Sequence, residues 1–247
     1  VEPGPIGILL VDRTRFRLVV VDAGEITEPA VGADDLLRDY DTGPRGDVTS
    51  HLEEHVAQHV RAAARAVVAV GDAVPLAALV VGGNAELVAA VLDRLPARHR
   101  SFVDVVAALG PAADEPTLRD VAERAADRAA VRLEASAVAT LRERSWAGSP
   151  RPAVTGLDAV ADAAAEDRVD VLLVSSGFRR PGWYCRTCGH HRTVGPRCPV
   201  CDARMVAVED VVGAVVAQVE GFGGTVQWCE RSADLDVVGR IGALLRH

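Results

Sequence analysis

The sequence predicts two α/β domains with mixed sheets, the second carrying a small inserted ribbon. Three observations predict it. Short apolar runs alternate with segments of helical periodicity along the 247 residues, the pattern of sheets covered by helices. A stretch at 110–116, G-P-A-A-D-E-P, interrupts that alternation and divides the chain into 1–110 and 111–247. Four of the five cysteines fall in two C-x-x-C pairs in the second half, which sets the insert at 179–208.

The elements follow in order. Residues 6–11 and 16–21 are apolar runs around Asp12-Arg13-Thr14, the pattern of a β-hairpin with nearly buried strands. Residues 28–48 are polar, contain Gly32, Gly43, Pro44 and Gly46, and read as a loop with one short helix. Ser50 and Glu53 form an S-x-x-E capping box that opens a helix. Leu52, Val56, Val60, Ala63, Val67 and Val70 follow at helical spacing, and the helix ends near Gly71-Asp72. Residues 76–81 read as a strand, Gly82-Gly83-Asn84 as a turn, 85–95 as a helix and 101–106 as a strand. Beyond 116, residues 117–144 read as one or two Ala- and Arg-rich helices, stopped by Gly148-Ser149-Pro150-Arg151-Pro152. A helix at 155–166, with Leu157, Val160 and Ala164 on one face, precedes a central strand at 169–174. After the cysteines come a helix at 211–219, a turn at 221–224, a strand at 225–228 and a closing helix at 235–245.

Composition bounds the function. Hydrophobic residues are 49% of the chain but aromatics only 4%, so the cores are built from Val, Leu and Ala. The chain has no lysine, so no single arginine is read as chosen over lysine. A net charge of −8 excludes a protein that coats nucleic acid non-specifically; no DNA partner is expected, and any RNA contact is local. No apolar run reaches the roughly 18 residues of a membrane helix, so no membrane partner is expected. The chain starts at Val1 with neither an initiator Met nor the pattern of a signal peptide; a trimmed chain with sequence missing upstream is expected. The cysteine usage fits a reducing cytoplasm better than a disulfide scaffold.

Cys185-x-x-Cys188 and Cys198-x-x-Cys201 give four thiolates in two tight turns, the donor set of one zinc ion. Four protein ligands leave no open position for water, so the zinc is structural. The segment has no core of its own, and the metal must supply its folding energy. Two redox pairs are the competing reading. The ribbon is locally basic: Arg179, Arg180, Arg186, Arg192, Arg197 and Arg204 stand against Asp202 alone, with Trp183, Tyr184, His190 and His191 among them. Arginine beside aromatic rings suits phosphate and base contact. The competing reading is the solvated surface of a small metal domain.

His51, His55 and His59 recur every four residues on the first long helix. His51-Leu52-Glu53-Glu54-His55 matches H-x-x-E-H, in which His51 and His55 would bind zinc and Glu54 would act as general base. No third ligand is identifiable, and Glu53 already serves the cap. The expected reading is a half-exposed polar shoulder without metal; a docking face is the other. Gly82-Gly83-Asn84 lacks the Lys-Ser/Thr of a P-loop and the spacing of a dinucleotide fingerprint. No Ser-His-Asp or Cys-His set is recognisable, and Cys229 reads as a small strand residue.

Leu79-Val80-Val81-Gly82-Gly83, the helix and strand 155–160 and 169–174, Gly221-Phe222-Gly223-Gly224 and the ending 239–246 carry a resemblance. Together with the hairpin at 6–22 and the ribbon after strand 169–174, the order of elements resembles the central and C-terminal domains of the archaeo-eukaryotic release factor and Pelota superfamily. The likeness spans nearly the whole chain through short motifs. Release factors of this kind carry a Gly-Gly-Gln loop; here the corresponding stretch, Asp41-Thr42-Gly43-Pro44-Arg45-Gly46-Asp47, has no Gln. With that reduced loop the chain looks most like the bacterial, actinobacterial Balon-like ribosome hibernation factors. The N-terminal decoding domain of the family has no counterpart in it.

The resemblance implies a non-catalytic factor that occupies the ribosomal A site of idle ribosomes. Ribosomal RNA and proteins are the implied partners, with a translational GTPase as a further one. Arg45 and the six ribbon arginines are the expected contacts, and no catalytic residue is expected. Two enzymes compete with this reading: a peptidyl-tRNA hydrolase of ribosome rescue, and the inverted-zincin peptidase.

Overall fold

Every residue of the first apolar run is buried, because it forms the middle strand of a sheet covered on both faces. The computed structural model describes residues 4–33, 47–107, 109–146, 149, 152–230 and 233–246, with the backbone alone at 47–53, 106 and 107. The chain divides into two units, 2–130 and 131–247.

In the first unit β1 (Ile6–Val11), β2 (Arg15–Asp22) and β3 (Glu25–Ala33) form an antiparallel meander, followed by α1 (Asp47–Ala73), β4 (Ala78–Gly83), α2 (Ala85–Leu92), α3 (Ala97–Arg100) and β5 (Val103–Ala107). The sheet order is β3-β2-β1-β4-β5, with β1, β4 and β5 parallel. Alternate residues of each strand face opposite layers. Leu9, Val11, Leu18, Leu79 and Val81 meet Val60, Ala63 and Val67 of α1 and Leu87, Val88 and Val91 of α2. Ile8, Leu10, Val19 and Val80 meet Leu118, Val121, Ala122 and Ala125 of α4 (Glu115–Arg144). Residues 117–144 therefore lie in one helix of 30 residues, and its first half packs on the N-terminal sheet beyond the stretch at 110–116.

In the second unit β6 (Ala153–Thr155), α5 (Leu157–Ala165) and β7 (Val169–Ser175) lead into the ribbon strands β8 (Gly182–Tyr184), β9 (His191–Arg192) and β10 (Val206–Val208). Then come α6 (Val211–Gly221), β11 (Thr225–Cys229), α7 (Ala233–Val237) and β12 (Ile241–Leu245). The main sheet is β11-β7-β12-β6, with β11 and β7 parallel and the other pairs antiparallel. Leu172, Val174, Ile241 and Ala243 face α5 and α6; Leu173 and Cys229 face Val138 and Leu141 of α4. The expected central strand at 169–174 is β7.

The structure corrects five readings. β3 stands where a loop is expected over 28–33: it is an edge strand, mostly exposed, so its sequence lacks an apolar alternation, and the edge tolerates Pro29. The remainder of that stretch, 34–46, lies outside the described residues. The helix expected from Ser50 starts at Asp47, which puts Ser50 inside the first turn; the side chains of the Ser50–Glu53 box lie outside the described residues. The helix expected over 85–95 ends at Leu92, and α3 follows Pro96. Gly82 and Gly83 end β4 instead of turning: a Cβ at Gly83 would lie 2.1 Å from the Val11 carbonyl oxygen, and Asn84 caps α2 by accepting from the Glu86 N–H at 2.9 Å. The closing helix expected over 235–245 is the short α7 and then β12. Gly239 and Arg240, at φ +101° and +66°, break the helix, and β12 is buried on both faces, where an apolar strand and an apolar helix read alike.

Candidate metal centre and ribbon surface

Both cysteine turns use one backbone scheme. Cys185 N–H donates to the His190 carbonyl, and the Cys185 carbonyl accepts from Gly189 N–H at 2.9 Å. Cys198 N–H donates to the Ala203 carbonyl, and the Cys198 carbonyl accepts from Asp202 N–H at 2.9 Å. Gly189 and Asp202 hold equivalent places at φ +75° and +56°, a conformation open to Gly and tolerated by Asp.

The turns bring the four sulfurs together. Cys185 and Cys201, Cys188 and Cys198, and Cys188 and Cys201 stand 3.5 Å apart, and all four sulfurs lie within 4.8 Å of one another. A tetrahedral ion with bonds of about 2.3 Å needs sulfurs about 3.8 Å apart, so the set could hold a metal ion with little adjustment. The Cys188 and Thr187 backbone N–H groups draw the Cys185 thiol down to about 6. Desolvation, followed by hydrogen bonds shared with the other sulfurs, pushes Cys188 up to about 12. A central cation removes the conflict by letting all four sulfurs be thiolates. Cys185, Cys198 and Met205, with Trp183 and Ala203 beside them, make up the ribbon's core. That is too little apolar surface to order some thirty residues without a cross-link.

Side chains that follow the first turn dock the ribbon on the helices of its own unit. His190 Nε2 lies 2.9 Å from Asp162 Oδ1, and Arg192 reaches the same oxygen at 2.5 Å. Thr193 donates its N–H and hydroxyl to the two oxygens of Asp158, at 2.8 and 2.6 Å. His191 Nδ1 meets Gln218 Oε1 at 3.2 Å, and its ring packs on Tyr184. Burial lowers the His191 pKa, so its neutral form is favoured there. Asp158, Asp162 and Gln218 were not legible as ribbon anchors. The i, i+4 spacing of the two acids on the polar face of α5 is the one signal they give.

The ribbon arginines separate into two groups. Arg192 turns inward, its side chain 17% exposed and tied to Asp162, so it is a docking residue and the structure does not offer it to a partner. Arg179, Arg180, Arg186, Arg197 and Arg204 are exposed. Trp183, His190 and His191 face the ribbon's core or its support. Arg45 lies outside the described residues.

On α1, His59 is 6% exposed, not half exposed as expected; its ring packs on Phe16 with centroids 5.4 Å apart, and Nε2 has no partner among the described residues. His55 is half-buried, and the His51 side chain lies outside the described residues. Among the described residues the four cysteines alone form a metal-ligand cluster.

Comparisons with known proteins agree with this architecture. No curated protein sequence matches the chain significantly. Solved structures share the fold, among them the following three. Pelota of Archaeoglobus fulgidus superposes with a TM-score of 0.51 at 17% identity, over 99% of this chain and 65% of its own. S. cerevisiae Dom34, described as a translation termination-like factor involved in RNA quality control and interacting with Hbs1, gives 0.52 at 10%, over 98% and 63%. Archaeal Pelota, from a model of the ribosome-bound protein with ABCE1, gives 0.57 at 14%, over 98% and 61%. The chain thus spans less than two thirds of the length of each. Residues 1–141, more than half of the sequence, match the model of bacterial archaeo-eukaryotic release factor family 10, and the chain belongs to that family.

Proposed function

We propose that this chain is the ribosome-binding part of a translation factor that occupies the A site of idle ribosomes under stress and does not hydrolyse peptidyl-tRNA. The observation that carries the reading is the ribbon: five exposed arginines against one acid, on a release-factor family fold whose net charge is −8. An acidic protein that meets RNA does so through a local basic surface. The fold shared with ribosome-bound archaeal Pelota supports the same partner. On this reading the first unit is the central domain, which carries Arg45 toward the peptidyl-transferase centre. The second is the C-terminal domain, near the site of a translational GTPase as a further partner; Dom34, which shares the fold, is described as interacting with a partner protein, Hbs1. The four cysteines hold one structural zinc, the ion whose preference for four tetrahedral thiolates fits this donor set. A protein that acts on ribosomes in this way works in the cytoplasm, the localisation we propose; no helix among the described residues is long and apolar enough to cross a membrane.

The stretch 41–47 has no Gln to position water, which supports binding without release. The test is sedimentation of the full-length protein with vacant ribosomes, beside an assay of peptidyl-tRNA hydrolysis. The expected result is co-sedimentation that weakens as salt rises, with no peptide released. Rapid release by the protein alone would replace this reading with the rescue hydrolase; no co-sedimentation would remove the ribosome from the account.

A further inference from the structure

Arg197 and Arg204 face one another across an antiparallel bridge in the ribbon. The bonds that frame it run from Met205 N–H to the Pro196 carbonyl at 2.8 Å and from Cys198 N–H to the Ala203 carbonyl at 2.9 Å. That pattern makes 197 and 204 a non-hydrogen-bonded pair, in which Cα atoms approach to about 4.5 Å and both side chains leave by one face. Like charges placed so repel each other. Asp202 offsets one of them: its carboxylate lies 3.1 Å from an Arg197 terminal nitrogen. Both groups stand largely in water, 74% and 81% exposed, so this pair is weak. Among the described residues no acid pairs with Arg204, and Asp202 is the one acid of the segment 179–208. Asp202 itself closes the second cysteine turn, its N–H donating to the Cys198 carbonyl at 2.9 Å with φ +56°.

We infer that Arg197 and Arg204 form a two-pronged clip for one backbone phosphate of RNA, and that Asp202 is a built-in competitor occupying one prong until the phosphate displaces it. The inference rests on the ribosome reading and deepens it. A phosphodiester presents two unbridged oxygens, and two planar guanidinium forks side by side match them. The phosphate supplies the negative charge that the opposed arginines lack. Arg179, Arg180 and Arg186, exposed in the same segment, extend the positive surface, as a polyphosphate ligand requires. Asp202 then sets a threshold: a lone anion gains little by replacing it, whereas a phosphate held by neighbouring contacts displaces it.

The experiment measures ribosome affinity of the full-length, metal-loaded protein across a salt series, for wild type, Arg197→Ala, Arg204→Ala, Asp202→Asn and Arg197→Ala/Asp202→Asn, with metal content determined for each. Asn keeps the left-handed backbone at 202, so the cysteine turn survives. Each arginine variant is expected to weaken binding about tenfold at low salt and to reduce the salt slope by about one. Asp202→Asn is expected to tighten binding roughly threefold, the scale of one exposed ion pair. In the Arg197→Ala background the same change should do nothing, which separates a competitor for Arg197 from a general gain of positive charge. Wild type that binds while both arginine variants bind equally well overturns the clip and leaves the ribosome reading standing. Weakened binding with an unchanged salt slope assigns the arginines to a protein surface and also overturns it. Wild type that does not bind ribosomes overturns both.

Discussion

The ribbon and the sheet from which it emerges are held together by different means. In β7, Leu172, Leu173 and Val174 are fully buried, with helices on both faces. In the ribbon the buried side chains that pack together are Cys185, Cys198 and Met205. Burial of a Leu or Val side chain contributes about 1.5–3 kcal/mol, so the sheet is stabilised many times over while the ribbon is not. On the proposed reading the ribbon's fold is conditional on an ion, beside its anchors to α5 and α6. It is also where exposed arginines gather on an otherwise acidic chain. The surface proposed to meet RNA therefore sits on the part least able to fold by itself, and on this reading metal would control the one through the other.

The largest expected effect breaks that condition. Cys188→Ser should take the metal from one ion per chain to none and remove hydrogen-exchange protection from ribbon amides, while amides of β1, β4 and β7 stay protected. A ribbon equally protected without metal would show that its own packing suffices. A smaller effect is expected from the docking contacts. Asp158→Ala removes the acceptor of the Thr193 N–H and hydroxyl and should cost about 1–3 kcal/mol. Limited proteolysis should then cut the ribbon faster while the metal stays bound. Metal loss in this variant would mean that docking and metal binding are one event. The smallest effect lies away from the ribbon. A hydrogen bond from Arg98, aided by Arg98 and His99 charge, holds the Asp72 carboxyl below its usual 3.8. A lowered folded-state pKa gives stability that is present above about pH 4 and lost as pH falls through the folded value. Asp72→Asn should therefore lower Tm slightly at pH 7, with the two proteins converging as pH falls through the folded-state value. A difference that persists in acid would place the effect in packing instead of charge.

The same contrast governs what could be read from the sequence. The cysteine cluster is legible because a tight turn imposes a fixed two-residue gap between paired sulfurs, which nothing else in the chain imitates. β1, β4 and β7 were legible because strands buried on both faces must be continuous apolar runs. β12 is equally apolar, yet it read as a helix, since a short buried strand has no periodicity of its own and the break at Gly239-Arg240 is a matter of backbone angles. β3 was illegible for the opposite reason: an exposed edge strand is held by ladder bonds that leave no trace in side-chain pattern. In the sequence Arg192 is indistinguishable from its neighbours, because its partner Asp162 lies thirty positions earlier in the chain and such pairs are set by docking and not by spacing.

The central claim is that the metal-held ribbon is the surface that meets ribosomal RNA. It is tested most directly by ribosome affinity of the full-length protein and of Cys188→Ser, measured over a range of salt concentration. For wild type the account predicts a logarithm of affinity that falls linearly with the logarithm of salt, and for Cys188→Ser a weaker, flatter line. Identical lines for the two proteins would contradict it.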